Sequence, residues 1–263
     1  MGNTATGSRD DDVLFYNPAQ LVVARGMSTS AERLSPTAST VTLSSVTRLN
    51  TGGVAVGATI AQFEAPASVF PLTREEMLNR GSAAGSSANA VVGIAQVIKG
   101  FRLGTAVKYA EDRVEDRKFG RAALDVGVSR DLFRFYTAAV AVQNIGRSER
   151  QSGLVRPAAI DLPLLTTIGV TTGRPLGAYD VIATASVSML RTAIVEPAAG
   201  AEVAYSWLDG YSIALRGGLR RPDYGNGRLT AGAGFNVDRV SIDYALETLS
   251  GSRLGQRIGL RVR

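Results

Sequence analysis

Alternation with a period of two runs through almost the whole chain, and no other feature restricts the fold so tightly. Around 53–60, Val54, Val56, Ala58 and Ile60 face one way, while Gly53, Ala55, Gly57 and Thr59 face the other. In 103–109, Leu103, Thr105, Val107 and Tyr109 oppose Gly104, Ala106 and Lys108. In 122–129, Ala122, Leu124, Val126 and Val128 oppose Ala123, Asp125, Gly127 and Ser129. A helix needs a period near 3.6, so this spacing predicts strands. Fourteen such segments follow one another: 20–34, 37–49, 52–65, 89–99, 101–112, 120–131, 134–146, 163–174, 177–191, 197–208, 211–221, 227–237, 239–250 and 255–263. Most are longer than the ~5–6 residues of an ordinary globular strand and match the ~9–11 residues of a tilted strand crossing a bilayer.

The connections alternate in length. Tight ones are expected near 50–51, 99–100, 131–133, 174–175, 208–210 and 237–239, and longer ones at 66–88, 113–119, 147–162, 192–196, 222–226 and 251–254. Short turns at one end and longer loops at the other are the organisation of an outer-membrane barrel. In the loop 66–88, Thr73 followed by Glu76 forms a capping box, which predicts a short helix before a flexible Gly81–Ser87.

The chemistry of the two faces agrees. One face carries Val, Leu and Ile, with Tyr109, Tyr136, Tyr205, Trp207, Tyr211 and Tyr244 expected as an interfacial girdle. The other carries Gly, Ala, Ser and Thr with charges among them, including Lys108, Asp125, Glu202, Arg216, Arg220, Asp243, Arg257 and Arg261. In a dry sandwich core these ions would cost several kcal/mol each unless paired. A polar lumen lets them pair and stay hydrated. The fold class expected is therefore all-β, a transmembrane antiparallel barrel of about fourteen strands occupying 20–263.

Residues 1–19 do not read as strand. Asp10, Asp11 and Asp12 are followed by Val13, Leu14, Phe15 and Tyr16, then by Asn17 and Pro18. Pro18 lacks a backbone donor and restricts Asn17, so the segment ends in a turn. A plug folded into the lumen is expected, with Phe15 and Tyr16 packed inside and the aspartates paired to Arg216 and Arg220. Three adjacent acids lack the alternating spacing of a hard-cation loop, so no metal is expected. Met1–Asp12 contains no apolar stretch of leader type, so the segment is expected to be truncated, with the leader missing.

Composition narrows the function classes. There is no cysteine and no histidine, which removes a thiol nucleophile, a disulfide framework and the commonest general base. An enzyme is not expected, and no cofactor is implied. The net charge of +6 comes from basic residues scattered singly rather than gathered with aromatics, so nucleic acid is not an expected partner.

Several short motifs then line up in order. Gly2, Gly7, Asp11, Asp12, Phe15, Tyr16, Asn17, Pro18, Ala19 and Leu21 open the chain, with Gln20 where a glycine is usual. Asp125-Val126-Gly127, Gln143-Asn144-Ile145-Gly146, Gly200-Ala201-Glu202, Leu215-Arg216-Gly217-Gly218, Gly232-Ala233-Gly234 and Asp243-Tyr244-Ala245 follow. Their order and spacing resemble the FadL-like outer-membrane barrels, most closely the PorV/PorQ branch. The resemblance implies a barrel of the Gram-negative outer membrane, in contact with its lipid, whose N-terminal hatch gates hydrophobic or small solutes. The PorV-like alternative is a type IX secretion barrel that binds exported proteins through its outer loops. One departure is the C-terminal Leu260-Arg261-Val262-Arg263, where outer-membrane barrels usually end on an aromatic residue.

Overall fold

The computed structural model describes residues 11–66, 82–114, 117–148, 164–190, 194–221, 226–249 and 253–263. They form a closed antiparallel barrel of fourteen strands in simple sequence order. The strands are β1 (Gly26–Ser35), β2 (Ala38–Arg48), β3 (Gly52–Pro66), β4 (Ser82–Ile98), β5 (Phe101–Val114), β6 (Arg117–Leu132) and β7 (Tyr136–Ser148). The second half comprises β8 (Leu165–Leu176), β9 (Tyr179–Leu190), β10 (Val195–Leu208), β11 (Tyr211–Arg220), β12 (Asn226–Val237), β13 (Val240–Leu249) and β14 (Leu254–Val262). Closure comes from β1 against β14, where Met27 to Arg33 pair with Val262 to Gln256 without a register shift.

The turns at one end are two or three residues long: 49–51, 99–100, 133–135, 177–178, 209–210 and 238–239. Tight two-residue hairpins need left-handed residues, and Lys99, Gly100, Phe133, Gly177, Gly210 and Asp238 all have positive φ. At the other end the connections range from two residues at 36–37 and 115–116 to the gaps 67–81 and 149–164. The expected alternation of lengths therefore holds for the tight end, while the opposite end is mixed. The stretch 113–119, read as a loop, is almost all strand, because Arg113 and Val114 pair with Lys118 and Arg117. Ser82–Ser87, read as flexible, pairs with Gln62–Pro66 and Ala61. There the Phe63 ring covers Gly85 so closely that a Cβ on Gly85 would lie 2.6 Å from it. The aromatic ring supplies the packing that the small residues lack, which composition alone does not reveal. The capping-box helix falls at 73–76, outside the described residues.

One face is apolar and exposed. Val54, Val56, Ile60, Val107, Leu124, Val128, Ile213, Leu215, Ile242 and Ile258 are all more than one third accessible. A soluble protein does not display so continuous an apolar belt; an outer-membrane barrel does. At the tight-turn end the belt finishes in aromatics. Trp207 stacks on Phe235 with ring centroids 6.1 Å apart, and Tyr205 lies 5.1 Å from Tyr179. Tyr109 lies within β5 rather than at its end, with its hydroxyl over Gly120 at the edge of the belt. Strands β3 to β6, of 14–17 residues, exceed what a bilayer needs. Beyond Ile60 and Tyr109 their outward positions turn polar, with Glu64, Glu111, Arg113 and Lys118. Those charges stand clear of the belt, where each would cost a few kcal/mol.

The strand expected from residue 20 begins at Gly26 instead. Asp11–Phe15 and Pro18–Val22 form two short 3-10 turns. Asn17 caps the second, its side-chain oxygen accepting from the Ala19 amide at 3.0 Å, with Pro18 at the first helical position. A fixed proline φ and a capped amide favour this start. The two turns supply the one apolar cluster found among the described residues: Val13, Leu14, Leu21 and Val22 against Val46, Ala55, Val91, Ala95 and Ala106.

The contact is made by glycines on the strand face opposite the belt. A Cβ on Gly53 would lie 2.0 Å from the Leu21 carbonyl oxygen. On Gly104 it would lie 2.3 Å from the Pro18 carbonyl carbon, and on Gly127 1.9 Å from the Asn17 side-chain oxygen. Two of these three neighbours are backbone, which cannot swing aside. Gly217, by contrast, has nothing within 4 Å of its Cβ position. Gly104→Ala is therefore expected to destabilise by about 1–3 kcal/mol through overpacking and to expose residues 11–24 to protease, while Gly217→Ala is near neutral. Urea titration of the refolded protein, with limited proteolysis alongside, checks both.

Candidate functional site

Two polar systems occupy the face opposite the belt, and they differ in exposure. On β4 to β6 the positions of that face are mostly covered. Lys108 and Asp125 pair at 2.7 Å with side chains only 10% and 1% accessible, and Arg121 pairs with Asp112, both 6% accessible. The Lys108 ammonium also donates to the Asn144 side-chain oxygen at 2.7 Å, and the Asn144 amide donates to Asp125 at 2.7 Å. Asn144 has φ 64°, a left-handed value that Asn tolerates. The β6–β7 register shifts between Leu124 and Val126 beside it. Such a bulge re-aims the neighbouring side chain. Gln143 is turned so that its amide donates to the Phe15 carbonyl at 2.7 Å.

On β10 to β14 the equivalent positions are mostly half-buried, alternating along each strand with the exposed residues of the belt. Here the charges form two layers. In the first, Arg216 of β11 binds both Glu202 of β10 and Asp243 of β13, and Arg261 of β14 lies 3.9 Å from Asp243. In the second, Arg220 binds Glu247 at 2.9 Å, and Arg257 stands directly opposite Glu32 of β1. Each layer places Arg on β11, an acid on β13 and Arg on β14. The layers are four residues apart on all three strands, roughly 13 Å at ~3.3 Å per residue. The intervening β12 makes this possible. A Cβ on Gly234 would meet the Asp243 carboxylate at 2.6 Å and the Arg216 guanidinium at 3.2 Å. Without that Cβ, Arg216 lies flat across β12 and reaches the strand beyond it.

The N-terminal residues connect the two systems. Asp10 and the side chain of Asp11 are outside the described residues. Asp12 is bound by Arg257 at 2.6 Å and by the Ser28 hydroxyl at 2.9 Å. The sequence pointed instead to Arg216 and Arg220, whose guanidiniums are engaged by Glu202, Asp243 and Glu247. Tyr16 shares Arg257 with Asp12. Burial pushes the Tyr16 phenol up, with the Arg257 charge acting against it. Phe15 lies against Gly57, and Asn17 and Pro18 are fully buried against β5 and β6. Arg102 reaches the Gln20 side-chain oxygen at 3.4 Å. Ser28, Arg102, Gln143 and Arg257 are the contacts that sequence reading missed as partners of the segment. Arg257 stood among the charges of that face, four residues from Arg261, but its mate lies 245 positions away. Gln143 sat inside a recognised motif without a role.

No protein-family model matches the chain, and no curated protein matches it. Solved structures do. The toluene transporter TodX of Pseudomonas putida aligns over 100% of this chain and 96% of its own, with TM-score 0.64 and 11% identity. The toluene transporter TbuX of Ralstonia pickettii aligns over 100% and 98%, with TM-score 0.64 and 12% identity. The monoaromatic hydrocarbon channel CymD aligns over 99% and 97%, with TM-score 0.67 and 9% identity. At such identities the likeness is one of fold, the closed antiparallel barrel of fourteen strands.

Proposed function

We propose that this chain is a channel of the bacterial outer membrane in which the N-terminal segment is a lumenal hatch gating small hydrophobic molecules. The observation that carries the reading is the apolar cluster. Among the described residues it lies between the segment, at Val13, Leu14, Leu21 and Val22, and the covered wall of β2 to β5. Separating the segment from that wall would uncover an apolar surface inside an otherwise polar barrel, which suits a hydrophobic solute. The exposed belt supports the outer-membrane location. The solutes in the names of the structural neighbours, toluene and monoaromatic hydrocarbons, supply the class to try first. On this reading Asp12, Phe15, Tyr16, Asn17 and Pro18 are hatch residues, with Asp10 and Asp11 preceding them. Lys108, Asp125, Glu202, Arg216, Arg220 and Asp243 are lumen charges. The PorV/PorQ branch and the secretion role rest on sequence motifs and on loops 66–88 and 147–162, much of which lies outside the described residues.

The hatch is held on its far side through Asp12. The Asp12–Arg257 pair is partly accessible and such a pair contributes about 0–1 kcal/mol, so Asp12→Asn is expected to raise the population of the released hatch by up to roughly five-fold. Cells whose outer membrane carries the protein should take up labelled toluene faster than cells without it, and the Asp12→Asn variant should be faster still. If the wild-type protein adds nothing to uptake, the transport reading fails. If the variant matches the wild type while uptake is present, Asp12 does not hold the gate.

Covering the hydrophobic route should be as effective as releasing it. Gly93 lies under the Leu14 and Leu21 side chains, with a Cβ position 2.6 Å and 2.9 Å from them. Gly93→Ala presses on the ends of flexible side chains rather than on backbone, so the barrel is expected to fold. The altered hatch seat should change toluene uptake with little loss of stability, measured by uptake and urea titration together.

A further inference from the structure

Among the described residues the two walls of the barrel are unequal, and the one that the segment reaches only through Asp12 carries the more regular chemistry. The N-terminal segment seats on β2 to β6, with its glycine contacts on β3 to β6. Opposite, Ala198, Gly200, Glu202, Arg216, Gly218, Arg220, Ala245 and Glu247 remain half-buried rather than buried. Their charges are paired but not dry. Arg216, Glu202 and Asp243 keep 14–20% of their side-chain surface accessible, against 1–10% for Lys108 and Asp125. Small residues stand between the charges on every strand of this wall, so the stripe is not filled by bulky neighbours. Nearer the tight-turn end the polar character continues, with the Asn236 amide donating to Ser212 at 2.8 Å and Ser241 bound to Asn236.

From this we infer a second conduction route, a hydrated path along the β10–β14 wall that carries water and small inorganic ions past the seated segment. Two physical points define its selectivity. The first layer is balanced, with Glu202 and Asp243 against Arg216 and Arg261. In the second, Arg220 and Arg257 face Glu247, Glu32 and Asp12. A nearly neutral stripe excludes neither sign of ion, whereas rings of one sign select. Paired charges held at fixed positions also keep the path wet without binding any one ion tightly. The route differs from the one proposed above in wall, in solute and in its independence of hatch release.

The absence of cysteine from the chain makes a direct test available. Ala198→Cys and Ala245→Cys place a thiol on the half-buried wall, and Ala106→Cys places one beneath the segment, where Ala106 is 1% exposed. The full-length protein is reconstituted in planar bilayers with a KCl gradient and treated with a water-soluble trimethylammonium-ethyl thiosulfonate reagent. The wild type is expected to conduct with a reversal potential close to zero. Ala198→Cys and Ala245→Cys should react, and the added positive charge should shift the reversal potential toward anion selectivity and lower the current. Ala106→Cys should not react. Because modification follows folding, a misfolded variant cannot mimic the shift. Absence of wild-type conductance, equal reactivity of all three thiols, or modification without a change in current would each overturn the route. Ion current without toluene uptake would leave this inference standing while the hydrophobic-transport reading falls, and uptake without ion current would do the reverse.

Discussion

Closure of the sheet by β1 on β14 is the constraint on which the rest of the molecule depends. In hydrocarbon an unpaired backbone group has no water to turn to, so a spanning sheet cannot keep an edge. Seven consecutive residue pairs from Met27↔Val262 to Arg33↔Gln256 remove it. The seam also fixes where the N-terminal segment turns into strand. Gly26 has φ +109° and packs its missing side chain against the Val262 carbonyl, where a Cβ would lie 2.4 Å away. The chain makes this bend at the tight-turn end, between the 3-10 turns and the first strand.

Once closed, the barrel inverts the usual rule of packing, with the large apolar side chains outward and the small ones opposite. Glycine then has two separate uses. At Gly53, Gly104 and Gly127 it lets a second backbone, or a capping side chain, approach the wall. At Gly234 it lets a long side chain of the wall itself lie flat, so that Arg216 can span β12 to Asp243. The first use covers β2 to β6 and makes their charges dry. The second leaves β10 to β14 open and makes their charges a lattice. The asymmetry between walls follows from which glycines face backbone and which face arginine.

Strand identity and facing were legible because each residue reports its own side of the pleat. Gly104, Ala106 and Lys108 fall on one face by counting alone, and the fourteen segments close without reordering. Element ends were less legible. Residues 20–22 lead into an apolar run that suits a strand, yet the Asn17 cap and Pro18 draw them into a 3-10 turn. Ser82–Ser87 looks flexible until Phe63 is seen lying over Gly85. The partner of Asp12 was not legible at all. Local spacing marks Arg216, Arg220, Arg257 and Arg261 equally as charges of one face, and only the closure of the circle brings Arg257 beside the segment. Gln143 is the same case, since its aim depends on a bulge set by Asn144 and Asp125.

Arg257 belongs to both systems, and this bears on how firmly a hatch could be held. Breaking a buried ion pair by removing one partner ordinarily costs 3–5 kcal/mol, because the other charge is left uncompensated. Here Arg257 keeps Glu32 directly across the β1–β14 seam, and its side chain is 32% accessible. Withdrawal of Asp12 therefore replaces two carboxylate neighbours by one carboxylate and water, rather than stranding a cation. The cost of release falls toward that of an exposed pair, which is about 0–1 kcal/mol. The remaining hold comes from the apolar seat of Leu14 and Leu21 and from Gln143. A hydrophobic solute competing for that seat would thus oppose the larger part of what retains the segment, while an ion passing along β10 to β14 would meet only the Arg257–Asp12 pair.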